Sequence, residues 1–210
     1  MKAIMISIRP RHCANIFNGL KTSEIRKTAP KEWTDYLSGK TKEKPQPMKV
    51  NIYCTKDKQF LFKDIYAEKG GYKPIYYLDN KEHDSWSQKL NGKVIASFIL
   101  EDVMMFKIIH DSMYDNMEMP HWCLTHKEVE DYLGKKDVGF EWCISNLEIF
   151  DTPKELSDFY KVGVDEYVHK HAGTDIGYLQ FWNGVDDFRL TKAPQSWQFI
   201  HFTEDTEEEE

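Results

Sequence analysis

A chain of 210 residues suits one decorated domain or two small ones, and a composition of 40% hydrophobic and 14% aromatic residues excludes the disordered class, which has few aromatics. No run of about 18 apolar residues occurs, so no membrane span is expected, and MKAIMISI at the start lacks the long apolar region and cleavage site of a signal peptide. The net charge of −7 is uneven: residues 1–58 hold 13 Lys and Arg against 5 Asp and Glu, +8, the remainder holds −15, and six acids lie within 204–210. A basic first quarter on an acidic chain suggests either a local anion site or a solvated lysine-rich loop, not a general polyanion binder. Cys13, Cys54, Cys123 and Cys143 form no CxxC pair, which reads as reduced thiols in a cytoplasmic protein.

In chain order, Ala3 to Ile8 is a short apolar run and a predicted buried strand. Pro10 opens a helix at its first position, with Cys13, Ala14, Ile16 and Phe17 on one face and Gly19 at the end. Lys21 to Lys27 returns as an extended segment, and Lys31 to Met48, with its lysines, Pro45 and Pro47, reads mostly as loop. Val50 to Thr55 alternates as a strand. Residues 59–90 form an insertion loop or small hairpin. Lys93 to Leu100 and Met104 to Ile109 are two more strands. Thr125-x-x-Glu128 is a capping box for a helix closed by Gly134, and Thr152-Pro153-Lys154-Glu155 predicts another helix, to about Lys161. Phe140 to Phe150 is strand-like, 162–189 is irregular, and Trp197 to Phe202 is a last strand. The expectation is one domain over 1–203 with insertions near 59–90 and 162–189, and a disordered acidic tail over 204–210.

Ser7-Ile8-Arg9-Pro10-Arg11-His12, followed by Ile16 to Lys27 with its Gly19-Leu20-Lys21-Thr22-Ser23-Glu24-Ile25-Arg26-Lys27, resembles the opening of ASCH-domain proteins. Gly92 to Phe98 looks like a later strand of that family. Trp142 to Leu156 and Leu190 to Gln198 resemble the closing parts of ASCH proteins of gut bacteria and their phages. The resemblance covers roughly 1–58, 92–110 and 138–202. It implies an α+β chain with a PUA-like mixed β-barrel, short flanking helices and loop insertions, and a cleft beside the first helix. Relatives include RNA-binding PUA domains and readers of modified bases, and some members are hydrolases acting on N(4)-acetylcytidine or on RNA.

On an extended segment Thr22, Glu24 and Arg26 share one face, with Glu24 and Arg26 about 7 Å apart. Arg26 offers a planar fork for phosphate or a base edge, and Glu24 can accept from an exocyclic amine. Alternatively the two pair with each other. Lys21 can reach a phosphate or, if desolvated, act as a base. The hydrolase relatives use a Lys, a Thr three residues later and a distant Glu; Lys21 matches, but Glu24 stands at the Thr position. If the protein is an enzyme, Lys21, Ser23 and Glu24 are the catalytic candidates. The ligand-binding candidates are Arg9, Lys21, Glu24, Arg26, Lys27, Tyr53, Lys56, Trp142 and Trp197, the aromatics either stacking on a base or serving as core. His121, Cys123 and His126 lack a convincing fourth ligand, so neither a metal nor a cofactor is expected. The expected partner is RNA or a nucleotide and not a membrane, with a protein partner left open. A metal-independent hydrolase and a phage-type inhibitor of a host factor are the alternatives to a binding module.

Overall fold

The structure is a computed structural model that describes residues 2–68, 71–82, 87–174 and 176–201. The first strand, β1 (Lys2–Ile8), is followed by α1 (Pro10–Phe17), β2 (Ser23–Arg26), α2 (Lys31–Leu37) and β3 (Met48–Cys54). β3 returns parallel to β1, with Ile8 opposite Cys54. β1 alternates between two cores, as a strand covered on both faces must: Ile4, Ile6 and Ile8 enter one with Trp33, Ile52 and Phe98, while Ala3 and Met5 enter the other with Tyr53, Val94 and Leu190.

Next come β4 (Phe60–Glu68) and β5 (Gly71–Asp79), which pair antiparallel, then β6 (Gln88–Lys89), β7 (Val94–Leu100), β8 (Val103–Lys107), β9 (Glu118–Met119) and β10 (Leu124–Thr125). α3 (His126–Leu133) carries the expected capping box: Thr125 accepts from the Glu128 N–H, Glu128 accepts from the Thr125 N–H, and Gly134 ends the helix. β11 (Val138–Cys143), β12 (Ser145–Lys154), α4 (Val164–His171), α5 (Tyr178–Asp186) and β13 (Trp197–Ile200) complete the order.

Four expectations are corrected. Among the described residues no sheet closes into a barrel. A five-stranded sheet in the order β12-β7-β3-β1-β13 packs beside a three-stranded one in the order β2-β11-β8. Between the two sheets the Trp142 and Trp197 rings meet at 5.6 Å, and the Trp197 indole N–H donates to Thr28 Oγ1. The segment 31–37 is helical because Trp33, fully buried, and Leu37 give the i, i+4 apolar pair that anchors it on the core. No helix starts at Thr152. β12 runs on to Lys154, tolerating Pro153 as an edge strand with a shifted register, and the cap signal is met one step later, where Asp158 accepts from the Glu155 N–H. Finally, 162–189 contains α4 and α5, joined through Tyr167, whose ring lies 5.6 Å from Phe188 and 6.1 Å from Phe181. No helix among the described residues is long and apolar enough to cross a membrane. The acidic tail lies outside the described residues.

Candidate functional site

β1 and β3 end side by side, and the Thr55 N–H donates to the Ile8 carbonyl at 2.9 Å. From these adjacent ends one chain turns into α1 and the other into the loop carrying Lys56, Asp57 and Lys58. Beneath them runs β2. The space enclosed is a cleft of about 1240 Å³, walled by the first turn of α1, the loop after β3, α3 and the segment 193–195. Ser7 fixes the last wall: its hydroxyl donates to the Pro194 carbonyl at 2.6 Å. Gly92 fixes another. A Cβ there would lie 3.1 Å from the Lys56 stem, and its φ of +80° suits glycine.

The floor holds three charged side chains taken almost wholly out of water: Lys21, Glu24 and Arg26 are 3%, 7% and 5% exposed. Glu24 Oε1 lies 3.1 Å from an Arg26 amino group, and Oε2 lies 3.3 Å from the Lys21 ammonium without the alignment of a hydrogen bond. Lys21 donates to the Trp122 carbonyl at 2.8 Å and Arg26 to the Ser7 carbonyl at 2.8 Å. Burial pushes the Glu24 carboxyl up, but Lys21 and Arg26, with His12 behind them, outweigh it and hold the group below its ordinary value. His12 is driven the other way, toward the neutral imidazole, first by burial and then by Lys21, Arg11 and Arg26, against the pull of Glu24. Arg26 Nε, Glu24 Oε2 and His12 Nδ1 are all buried without a hydrogen-bond partner among the described residues. Such orphaned groups are destabilising unless a bound molecule or water meets them.

Arg9, Lys21, Glu24, Arg26 and Lys56 come together in this cleft. The other candidates do not line it. Lys27 extends over the Tyr132 ring, 5.2 Å from its centre. Ser23 points to the opposite face of β2 and donates to Glu141 at 2.5 Å, so no nucleophile stands beside Lys21 from that position. Tyr53 belongs to the second core, and Trp142, with no exposure, belongs to the first with Trp197 packed on it. Large rings on inward-facing strand positions are taken by the core before they can serve a cleft.

Sequence reasoning misses His12, Arg11, Lys58, Tyr132, Glu128 and Asp131, which also line the cleft. Arg11 and His12 stood inside the quoted opening motif. Tyr132, Glu128 and Asp131 come from α3, whose approach to α1 is non-local; Arg11 donates to Glu128 at 3.0 Å across the gap. With Arg9, Arg11, Lys21, Arg26, Lys56 and Lys58 against Glu24, Asp57, Glu128 and Asp131, the walls carry +2 on a chain of −7. Among the described residues no group of three or more His, Cys, Asp or Glu is placed to hold a metal ion.

No family model matches the chain, and no curated protein matches it. Among solved structures it is similar to the ASCH protein of Zymomonas mobilis, at 14% identity over 95% of this chain and 88% of that one, with a TM-score of 0.47. It is similar also to two mutant forms of that protein, both at 14% identity, over 96% and 91% of the two chains with a TM-score of 0.48 and over 95% and 89% with a TM-score of 0.47.

Proposed function

We propose that the chain is an ASCH-type binding protein whose cleft takes a nucleobase-bearing ligand, a nucleotide or a short single strand of RNA. One observation carries this reading: a buried Lys21–Glu24–Arg26 triad lines the cleft and sets a carboxylate beside two cations at its floor. A base edge presents amines and carbonyls side by side, the complement of such a floor. Tyr132 is the aromatic wall available for stacking, in place of Tyr53, Trp142 and Trp197. The opening motif that resembles ASCH proteins, Ser7 to Lys27, supplies most of the floor and the α1 wall.

A binding role fits the floor better than hydrolysis through Lys21. A nucleophile must sit within about 3 Å of its base, whereas the Ser23 hydroxyl is engaged by Glu141 on the other face of β2. The test is a titration of the four common ribonucleosides, their monophosphates and a short RNA against the wild type, Arg26→Ala and Glu24→Gln. Each substitution should weaken binding by about 10-fold or more, the value of a hydrogen bond to a charged group. Unchanged affinity in both variants removes the triad from recognition. Accumulation of a hydrolysed product with the wild type would restore the enzyme reading.

A further inference from the structure

We infer that the cleft has a dedicated phosphate seat at the N-terminus of α1, so that its ligand is a nucleoside phosphate, free or at the end of an RNA strand, and not a bare nucleoside. This rests on the nucleobase reading above and assigns the other half of the ligand.

The end of α1 is left open to an anion. Its N-cap residue is Arg9, in extended conformation at φ −70° and ψ 150°; no side chain caps the helix and no acid occupies its first turn. Pro10 has no N–H, and the His12 and Cys13 N–H groups donate to the Arg9 carbonyl at 3.0 and 3.1 Å, so the backbone donor left at this end is the Arg11 N–H, at the positive pole of the helix dipole. Four cations line the cleft on this side: Arg9 at the N-cap, Arg11 in the first turn of α1, and Lys56 and Lys58 on the loop that leaves the neighbouring strand β3. They outnumber by one the acids that share this part of the lining, Asp57, Glu128 and Asp131, an excess that an anion at the helix end meets. Arg9, Lys56 and Lys58 have no ion pair among the described residues, while Arg11 is held by Glu128 and would exchange that partner for the phosphate.

Arg26 is the independent observation. It is more than nine-tenths buried and lines the same cleft, and its guanidinium is already anchored to the carbonyl of Ser7, two residues before the N-cap. Its Nε–H is left with no acceptor among the described residues. A phosphate oxygen set between the helix end and this guanidinium supplies the missing acceptor.

The experiment is calorimetric titration with adenosine, cytidine, guanosine and uridine, their 5′- and 3′-monophosphates, inorganic phosphate, and one RNA trinucleotide with either a 5′-phosphate or a 5′-hydroxyl. The best monophosphate should bind about 10-fold or more tightly than its nucleoside. Preference for the 5′-phosphorylated trinucleotide assigns the seat to an RNA end; preference for the mononucleotide assigns it to a free nucleotide. The decisive variant is Arg9→Asp. An aspartate at an extended N-cap supports the helix, so the melting temperature should hold or rise, while the advantage of monophosphate over nucleoside disappears. Lys56→Gln with Lys58→Gln should reduce the same ratio without touching α1. Equal affinity of nucleoside and monophosphate in the wild type, or an unchanged ratio in Arg9→Asp, overturns the seat and leaves the nucleobase reading standing. Binding of inorganic phosphate alone keeps the seat and removes the nucleobase. No binding of any probe removes both.

Discussion

Glu24 balances two buried cations, and that balance makes it both a stability residue and a recognition residue. Removing one partner of a buried ion pair leaves an uncompensated charge and typically costs about 3–5 kcal/mol. Glu24→Gln, which leaves Lys21 and Arg26 facing one another, should lower the urea unfolding free energy by about that much; a loss under about 1 kcal/mol would mean that water already reaches the triad. The pH dependence has a definite sign. Because the folded Glu24 is held below its ordinary value of 4.5, the unfolded chain takes up its proton first, and the stability it contributes is present above pH 4.5 and lost as the pH falls through the folded value. Acid titration should therefore show a loss below pH 4.5 in the wild type that Glu24→Gln lacks. His12 adds a milder trend of the same sign. Its folded pKa is lowered from 6.5, so its contribution fades as the pH drops below 6.5. The Glu24 and Arg26 pair is legible in the sequence because strand periodicity puts positions two apart on one face. That both are buried is not legible, since burial depends on β11, whose Trp142 lies directly opposite Glu24.

The elements whose signals are local read correctly from sequence, and those decided by distant packing do not. α1 and α3 are announced by Pro10 and by Thr125 with Glu128, each within a few residues of its helix. α2 is hidden because Trp33 and Leu37 make one apolar pair inside a lysine- and proline-rich stretch, and only the core shows what they anchor on. The strand through Thr152 to Lys154 is mistaken for a helix start because pairing with β7 overrides a good local cap. α4 and α5 depend on a close approach that glycine permits: a Cβ at Gly184 would fall 1.8 Å from the Tyr167 hydroxyl. Gly184→Ala must move that ring and should destabilise by about 1–3 kcal/mol, with recovery on adding Tyr167→Ala; a neutral single variant in thermal melts would mean that the two helices pack otherwise. α3 has its own titrating tie. His110 joins Glu130 at 2.7 Å and Asp137 at 3.1 Å, and these two hydrogen bonds, Glu130 first, raise its pKa above 6.5. A raised folded pKa contributes stability that is complete below pH 6.5 and lost as the pH rises through the folded value. His110→Gln should flatten the alkaline decline in melting temperature, and an unchanged decline would assign it to other groups.

At the scale of the whole molecule, the electrostatics separate a local site from a general polyanion surface. A chain of −7 repels nucleic acid at long range, and only within about 8–10 Å, the Debye length near physiological salt, does the +2 of the cleft walls dominate. Of the cations at the rim, Arg9, Lys56 and Lys58 are free of ion pairs among the described residues, and they set how many phosphates of a strand can be neutralised. For a single strand each neutralised phosphate contributes about −0.7 to the slope of log K against log salt, so three contacts give about −2. Short RNA binding followed by fluorescence anisotropy across a salt series should return that slope, and Arg9→Gln should reduce its magnitude by about 0.7. A slope near zero would confine recognition to the base and deny the rim any phosphate. A slope beyond about −4 would require more phosphate contacts than the cations of the cleft rim supply.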